Sequence, residues 1–230
     1  MADKFIKVMN EHLDGDNFLT PKEIYVLSYL KYQMKGNDSL TFSMKMFTEF
    51  VKDNNTTIKY SKEKESKVTT LDDKRSLAPV LDSLVELGLL VSNKKFSEIK
   101  LNEFVTVSLL KRECDGVHFE GVSEKFIDEM FKEVGVYGFY IYVYLKKICR
   151  VESQMVYKST RKMAEQLGVS DKTIVVYIKL LEELNLLTKK SSQKANRRRV
   201  ARDEEPKANE YYIPSKCKTD DRYYVTYSKP

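Results

Sequence analysis

Apolar residues recur at helical spacing in "DKTIVVYIKLLEELN", the stretch that follows Ser170. Ile174, Ile178 and Leu181 fall at intervals of four and three, so at about 100° per residue they stack on one face, with Leu184 at its border. The spacing predicts a helix that buries this stripe. Lys172, Val176, Lys179 and Glu183 line up on the opposite face, flanked by Thr173 and Val175. Just upstream, "STRKMAEQL" reads as a shorter helix and "GVS" as the turn between the two. Gly168 can adopt a left-handed conformation there, and Ser170 can cap the next helix by accepting the Thr173 amide. Helix, short Gly-containing turn and helix make a helix-turn-helix unit.

The pattern occurs twice. "IYVLSYLK" from Ile24 aligns with "FYIYVYLK" from Phe139, pairing Tyr25 with Tyr140, Tyr29 with Tyr144, Leu30 with Leu145 and Lys31 with Lys146. Farther on, "SLAPVLDSLVELGLL" from Ser76 aligns with "TIVVYIKLLEELNLL" from Thr173, pairing Leu84 with Leu181, Glu86 with Glu183 and Leu87 with Leu184. Internal repetition of this length indicates one module used twice. "SMKMFTEF" aligns with "TRKMAEQL" when Met46 is set against Met163, so the first copy holds about 20 extra residues in its turn.

After the third helix of the second copy, "LLTKKSSQ" and "NEYYIP" read as two strands joined by a polar loop. Together with "FYIYVYLKK" and "STRKMAEQLGVSDKTIVVYIKLLEELNLL", they resemble the winged-helix family, and in particular the tandem winged-helix replication initiators and related regulators of Gram-positive plasmids and phages. The expected fold is mainly α with small β-hairpin wings, an α+β class with two tandem winged-helix domains. The first covers 1–112, with an insertion over about 51–72; 113–121 is a linker; the second covers 122–214 with a basic wing at 188–210; 215–230 is a tail. "YYVTY" in that tail reads either as one more strand or as a frayed end.

In a helix-turn-helix, the N-terminal part of the second helix enters the major groove. That assigns base reading to Ser170, Asp171, Lys172, Thr173, Val176 and Lys179. Lysine suits guanine acceptors, valine a thymine methyl, and aspartate a cytosine amine. The segment "KKSSQKANRRRVAR" holds Lys189, Lys190, Lys194, Arg197, Arg198, Arg199 and Arg202 with no acidic residue. These seven, with Ser159 and Arg161, are assigned to the DNA backbone. The plainer alternative is a solvated charged rim, with Val175 and Val176 packed on another protein surface.

In the first copy the residues matching Lys172, Val176 and Lys179 are Arg75, Pro79 and Asp82. Pro79 is tolerated in a first helical turn, which predicts a helix start near Ser76. One cation, one proline and one carboxylate make a poor reader of bases, so this copy is expected to mediate dimerisation or backbone contact. Its insertion, "VKDNNTTIKYSKEKESKVTTLD", is expected to be solvated.

Composition narrows the function classes. Residues 116–230 hold 22 Lys and Arg against 16 Asp and Glu, while the first 115 residues hold 18 of each, so the whole excess of +6 lies in the second half. That favours a polyanionic partner for this half. Cys114, Cys149 and Cys217 are odd in number and far apart, and His12 and His118 are the only histidines, so no disulfide framework, metal set or cofactor is expected. No stretch has the length or apolarity of a membrane span, and the chain reads as cytoplasmic.

Catalysis finds no carrier. No Gly-rich phosphate loop occurs among the 8 glycines, and Glu182 and Glu183 are helix neighbours that point to different sides. The expected partners are double-stranded DNA, a second copy through the first domain, and the replication machinery. Two other readings stay open: a transcriptional repressor using the same surfaces, and a protein-interaction module without DNA binding.

Overall fold

The structure is a computed structural model. It describes residues 5–13, 19–35, 37–52, 58–61, 64–66, 71, 73–110, 119–149, 155–190, 209–213, 216–219 and 222–225. The fold is α+β, built from helices and small antiparallel sheets.

The first copy runs β1 (Phe5–Met9), a 3-10 turn (Asn10–His12), α1 (Pro21–Met34), β2 (Ser39–Ser43) and α2 (Met44–Val51). A hairpin follows, β3 (Ile58–Ser61) with β4 (Lys64–Ser66), then α3 (Lys74–Glu86), β5 (Leu90–Ser92) and β6 (Phe104–Leu109). The second copy runs β7 (Phe119–Ser123), α4 (Glu124–Ile148), β8 (Met155–Lys158), α5 (Thr160–Leu167), α6 (Asp171–Glu183), β9 (Thr188–Lys190) and β10 (Asn209–Tyr212). In the tail, β11 (Lys216–Thr219) and β12 (Arg222–Val225) form an antiparallel pair, which takes up the strand reading of "YYVTY".

The repeat is structural as well as sequential. Each copy builds a three-stranded antiparallel sheet in which the last strand takes the centre, with order β2-β6-β5 in one and β8-β10-β9 in the other. The third helices end alike. Gly88 and Asn185 both adopt left-handed φ, 66° and 57°, one residue beyond Leu87 and Leu184. The Leu89 amide then donates to the Leu84 carbonyl at 3.0 Å, and the Leu186 amide to the Leu181 carbonyl at 2.8 Å. Both are the six-to-one bond that closes a helix when the next residue turns left-handed. β2 and β8 leave little trace in the sequence, because each is short and runs straight into the cap of the next helix.

Two alignments shift. Phe47, Thr48 and Val51 are buried in α2 where Met163, Ala164 and Leu167 are buried in α5, so Phe47 rather than Met46 is the counterpart of Met163. The shared methionine misled the alignment by one residue; burial periodicity decides the register. The first helical residue of α3 is Lys74, not a position near Ser76. Asp73 caps the helix, accepting the Ser76 amide at 2.8 Å, and Pro79 sits inside it, exposed. A proline there leaves the Arg75 carbonyl without its helical donor, and exposure lets solvent serve it.

The segment expected as a linker over 113–121 ends inside β7. Residues 111–118 lie outside the described residues, but Phe119–Ser123 pairs antiparallel with Phe5–Met9, joining the beginnings of the two copies. Matched lysines anchor that ladder. Lys31 Nζ donates to the Lys7 carbonyl at 3.0 Å and Lys146 Nζ to the Gly121 carbonyl at 3.4 Å, and Lys7 and Gly121 are partners in the ladder. Lys146 is fully buried, with the Tyr142 ring 4.8 Å from its Nζ.

One hydrophobic core spans both copies, because α1 packs on α4. Tyr25 stacks on Phe131 at 3.8 Å, and Phe131 meets Tyr29 at 5.2 Å and Phe139 at 4.9 Å. Burial raises the pKa of the Tyr29 phenol. The helix α4 is broken at Gly135, whose φ of 63° only glycine adopts at low cost. Its second half, from Val136, is the counterpart of α1. Among the described residues, no helix is long and apolar enough to cross a membrane.

Candidate nucleic-acid interface

Local chemistry fixes the turn between α5 and α6. Gly168 ends α5 with φ 62°, and nothing lies within 4 Å of where its Cβ would be, so the glycine is required by conformation rather than by space. Ser170 then caps α6, its Oγ accepting the Thr173 amide at 3.1 Å and lying 2.8 Å from the Thr173 hydroxyl. Only three residues separate the helices, so the two are held rigidly. Ile174, Ile178 and Leu181 are buried, with Tyr177 beside them, and this turns the opposite face outward.

The outward face carries most of the residues assigned to base reading. Ser170, Asp171, Lys172 and Lys179 are exposed; Thr173 and Val176 are half-buried. Val176 leans on the core, while its neighbour Val175 is the more exposed of the two valines at 37%. The apolar contact available to a groove therefore belongs to Val175 as much as to Val176, a distinction that helical spacing alone did not draw. Lys172 and Lys179 lie seven residues apart, two turns along one side of the helix.

The backbone-contact candidates divide. Arg161 is exposed and its Nε meets Glu165 Oε1 at 3.0 Å, a solvated pair that a phosphate can outcompete. Ser159 is buried, and its Oγ caps α5 by accepting the Lys162 amide at 3.2 Å. Lys189 and Lys190 lie on β9, with Lys189 paired to Tyr211 and Lys190 to Glu210 of β10. Lys194, Arg197, Arg198, Arg199 and Arg202 lie outside the described residues.

In the first copy part of the same face is engaged internally, through Asp82 and Lys74, while Arg75 and Pro79 stay exposed. The loop between β5 and β6 folds back on α3, burying Phe96 and Ile99, and Phe96 stacks over Phe42 at 6.4 Å. Asp82 receives the Phe96 amide at 2.6 Å and the Ser97 amide at 3.1 Å, and Lys74 Nζ donates to the Ser97 carbonyl at 3.0 Å. Lys94 pairs with Glu103 within the loop and holds that carboxyl below its ordinary pKa. Helical spacing carries no signal of these contacts: Asp82 meets amides 14 and 15 positions on, and Lys74 a carbonyl 23 positions on.

No group of three or more His, Cys, Asp or Glu side chains suited to a metal ion occurs among the described residues. The chain matches no curated protein and no solved structure. Residues 92–196 match the family model described as Firmicute plasmid replication protein (RepL). That span runs from the end of β5 through α4, α5, the Gly168 turn and α6 into the segment after β9. Over it the chain is similar to a Gram-positive plasmid replication initiator, as the residues of its second copy led us to expect.

Proposed function

We propose that this chain is a sequence-specific double-stranded DNA-binding protein that initiates or controls replication of a plasmid or phage-like element. In this reading both copies are winged helices, and only the second reads bases. The carrying observation is the rigid α5–Gly168–α6 unit, which faces Lys172, Lys179, Ser170 and Val175 outward inside the span shared with plasmid replication proteins. The N-terminal half of α6 enters the major groove, while Arg161, Lys189, Lys190 and the basic run from Lys194 to Arg202 meet the phosphates.

The first copy assists without reading. Its third helix offers Asp82, already bound to the loop behind it, where the second copy offers Lys179. A carboxylate at that place repels phosphate. The first copy therefore serves assembly, between copies of the chain or with replication proteins, and the chain works by binding rather than by catalysis.

The test is replication in cells. A plasmid bearing the cognate origin is maintained when the chain is supplied in trans, and a Lys172→Ala, Lys179→Ala double variant, with both changes on the solvent face, loses maintenance while folding normally. Maintenance by that variant at the original level would refute base reading by α6. Sites that fall over a promoter, with no effect on maintenance, would make the chain a repressor.

A further inference from the structure

The three-stranded sheet of the first copy has two unlike faces. Toward the helices it directs Phe42, Val105 and Val107, all buried. Away from them it directs Phe104, Thr106 and Ser108 of β6, Ser39 and Thr41 of β2, and Val91 of β5, which the antiparallel registers set side by side. Phe104 is 65% exposed and Val91 51%. No position on this outer face is charged, in a chain with 32% charged residues.

The chemistry selects the occupant. A face without a cation lacks the ionic contacts that dominate affinity for DNA, and a strongly charged protein segment would lose hydration there without gaining an ion pair. A second copy of the same face fits. Across a two-fold axis each residue meets its own surroundings, so a charge near the axis would face a like charge, whereas hydroxyls donate and accept equally well. Thr41 Oγ1 and Thr106 Oγ1 already lie 2.8 Å apart, forming a polar pair able to bond its own image. The Phe104 ring supplies the apolar anchor.

We infer that this outer sheet face docks on the same face of a second chain. Strands of five, six and three residues, at about 3.4 Å per residue and about 4.8 Å apart, cover roughly 230 Å². A stable interface takes about 800 Å² from each partner. The association is therefore weak between free chains and becomes effective when two chains occupy neighbouring DNA sites, where the local concentration reaches the millimolar range. This regulatory role rests on the DNA binding proposed above; the contact itself does not.

Two measurements on the full chain test it. Sedimentation equilibrium at high protein concentration should show weak dimerisation that Phe104→Lys and Thr106→Lys each abolish; both positions are exposed, so both variants fold. Titration of duplexes bearing one or two binding sites should show the second site filled roughly tenfold more tightly than the first. Phe104→Lys should remove that gain and leave the single-site affinity unchanged. A chain that stays monomeric at every concentration, or dimerises equally well with Phe104→Lys, overturns the inference. Absence of single-site binding in a chain that still dimerises through this face counts instead against the DNA-reading proposal.

Discussion

Asp82 accepts the Phe96 amide at 2.6 Å, at the helix position where the second copy holds Lys179. One substitution separates a helix face free to meet a phosphate from one committed to its own loop. Phe96 is fully buried, so its amide has no water to fall back on. Asp82→Ala should lower stability by about 1–3 kcal/mol, the cost of leaving a buried donor unmet. Urea denaturation measures that loss, and single-site DNA affinity should be unaffected.

Gly138 of α4 packs against Tyr177 of α6. A Cβ built there would lie 3.1 Å from the Tyr177 ring and 3.1 Å from Val134 Cβ. Gly138→Ala should therefore displace Tyr177 and tilt α6, costing about 1–3 kcal/mol by overpacking and, under the proposed function, weakening specific DNA binding as well. Gly168→Ala makes a useful control. It meets no neighbour, and its left-handed backbone alone should cost about 1–2 kcal/mol.

Phe131 joins the copies, with Tyr25, Tyr29 and Phe139 around it. Truncating a buried aromatic costs about 3–5 kcal/mol. Because the core is continuous, Phe131→Ala should shift the unfolding of the whole chain as one transition. Hydrogen exchange in α1 and α6 would report it: loss of protection in both helices is expected, and loss in only one would mean that the copies fold independently.

Asp73 gives the first copy an acid-sensitive cap. The Ser76 backbone amide, and then the Ser76 hydroxyl, hold its carboxyl below the ordinary value of 3.8. A lowered folded pKa means that the cap contributes its full stability above the unfolded value and loses it as pH falls through the folded one. Melting temperature should therefore drop as pH falls below the ordinary carboxylate value and through the lowered one. Asp73→Asn keeps a capping oxygen and should flatten that part of the profile.

The second copy was more legible in sequence than the first. Its helix boundaries, the Gly168 turn and the Ser170 cap follow from local chemistry that a short window contains. The repeat was legible too, down to the matched lysines. What escaped depends on contacts distant in sequence. Asp82 looked like a lost DNA contact until Phe96 and Ser97 were seen on it, and the stretch before Gly121 looked like a linker because its strand partner lies more than a hundred residues away. Asp73 outcompeted Pro79 for the start of α3 because a capping box is decided by one carboxylate and one amide, not by where a proline is best tolerated. Val175, read as a flank, proved the more exposed valine because the core stripe is wider than three residues.

In the proposed function α6 reads DNA sequence and the basic segment after it supplies phosphate contact. Selection of this protein against a random duplex library, followed by titration of the enriched site across salt concentrations, tests both halves at once. One discrete site is expected, with loss of that preference in Lys172→Ala and a slope of log affinity on log salt of roughly −6 if the seven basic residues from Lys189 to Arg202 all meet phosphates. Binding spread evenly over all sequences, and unchanged in Lys172→Ala, would contradict it.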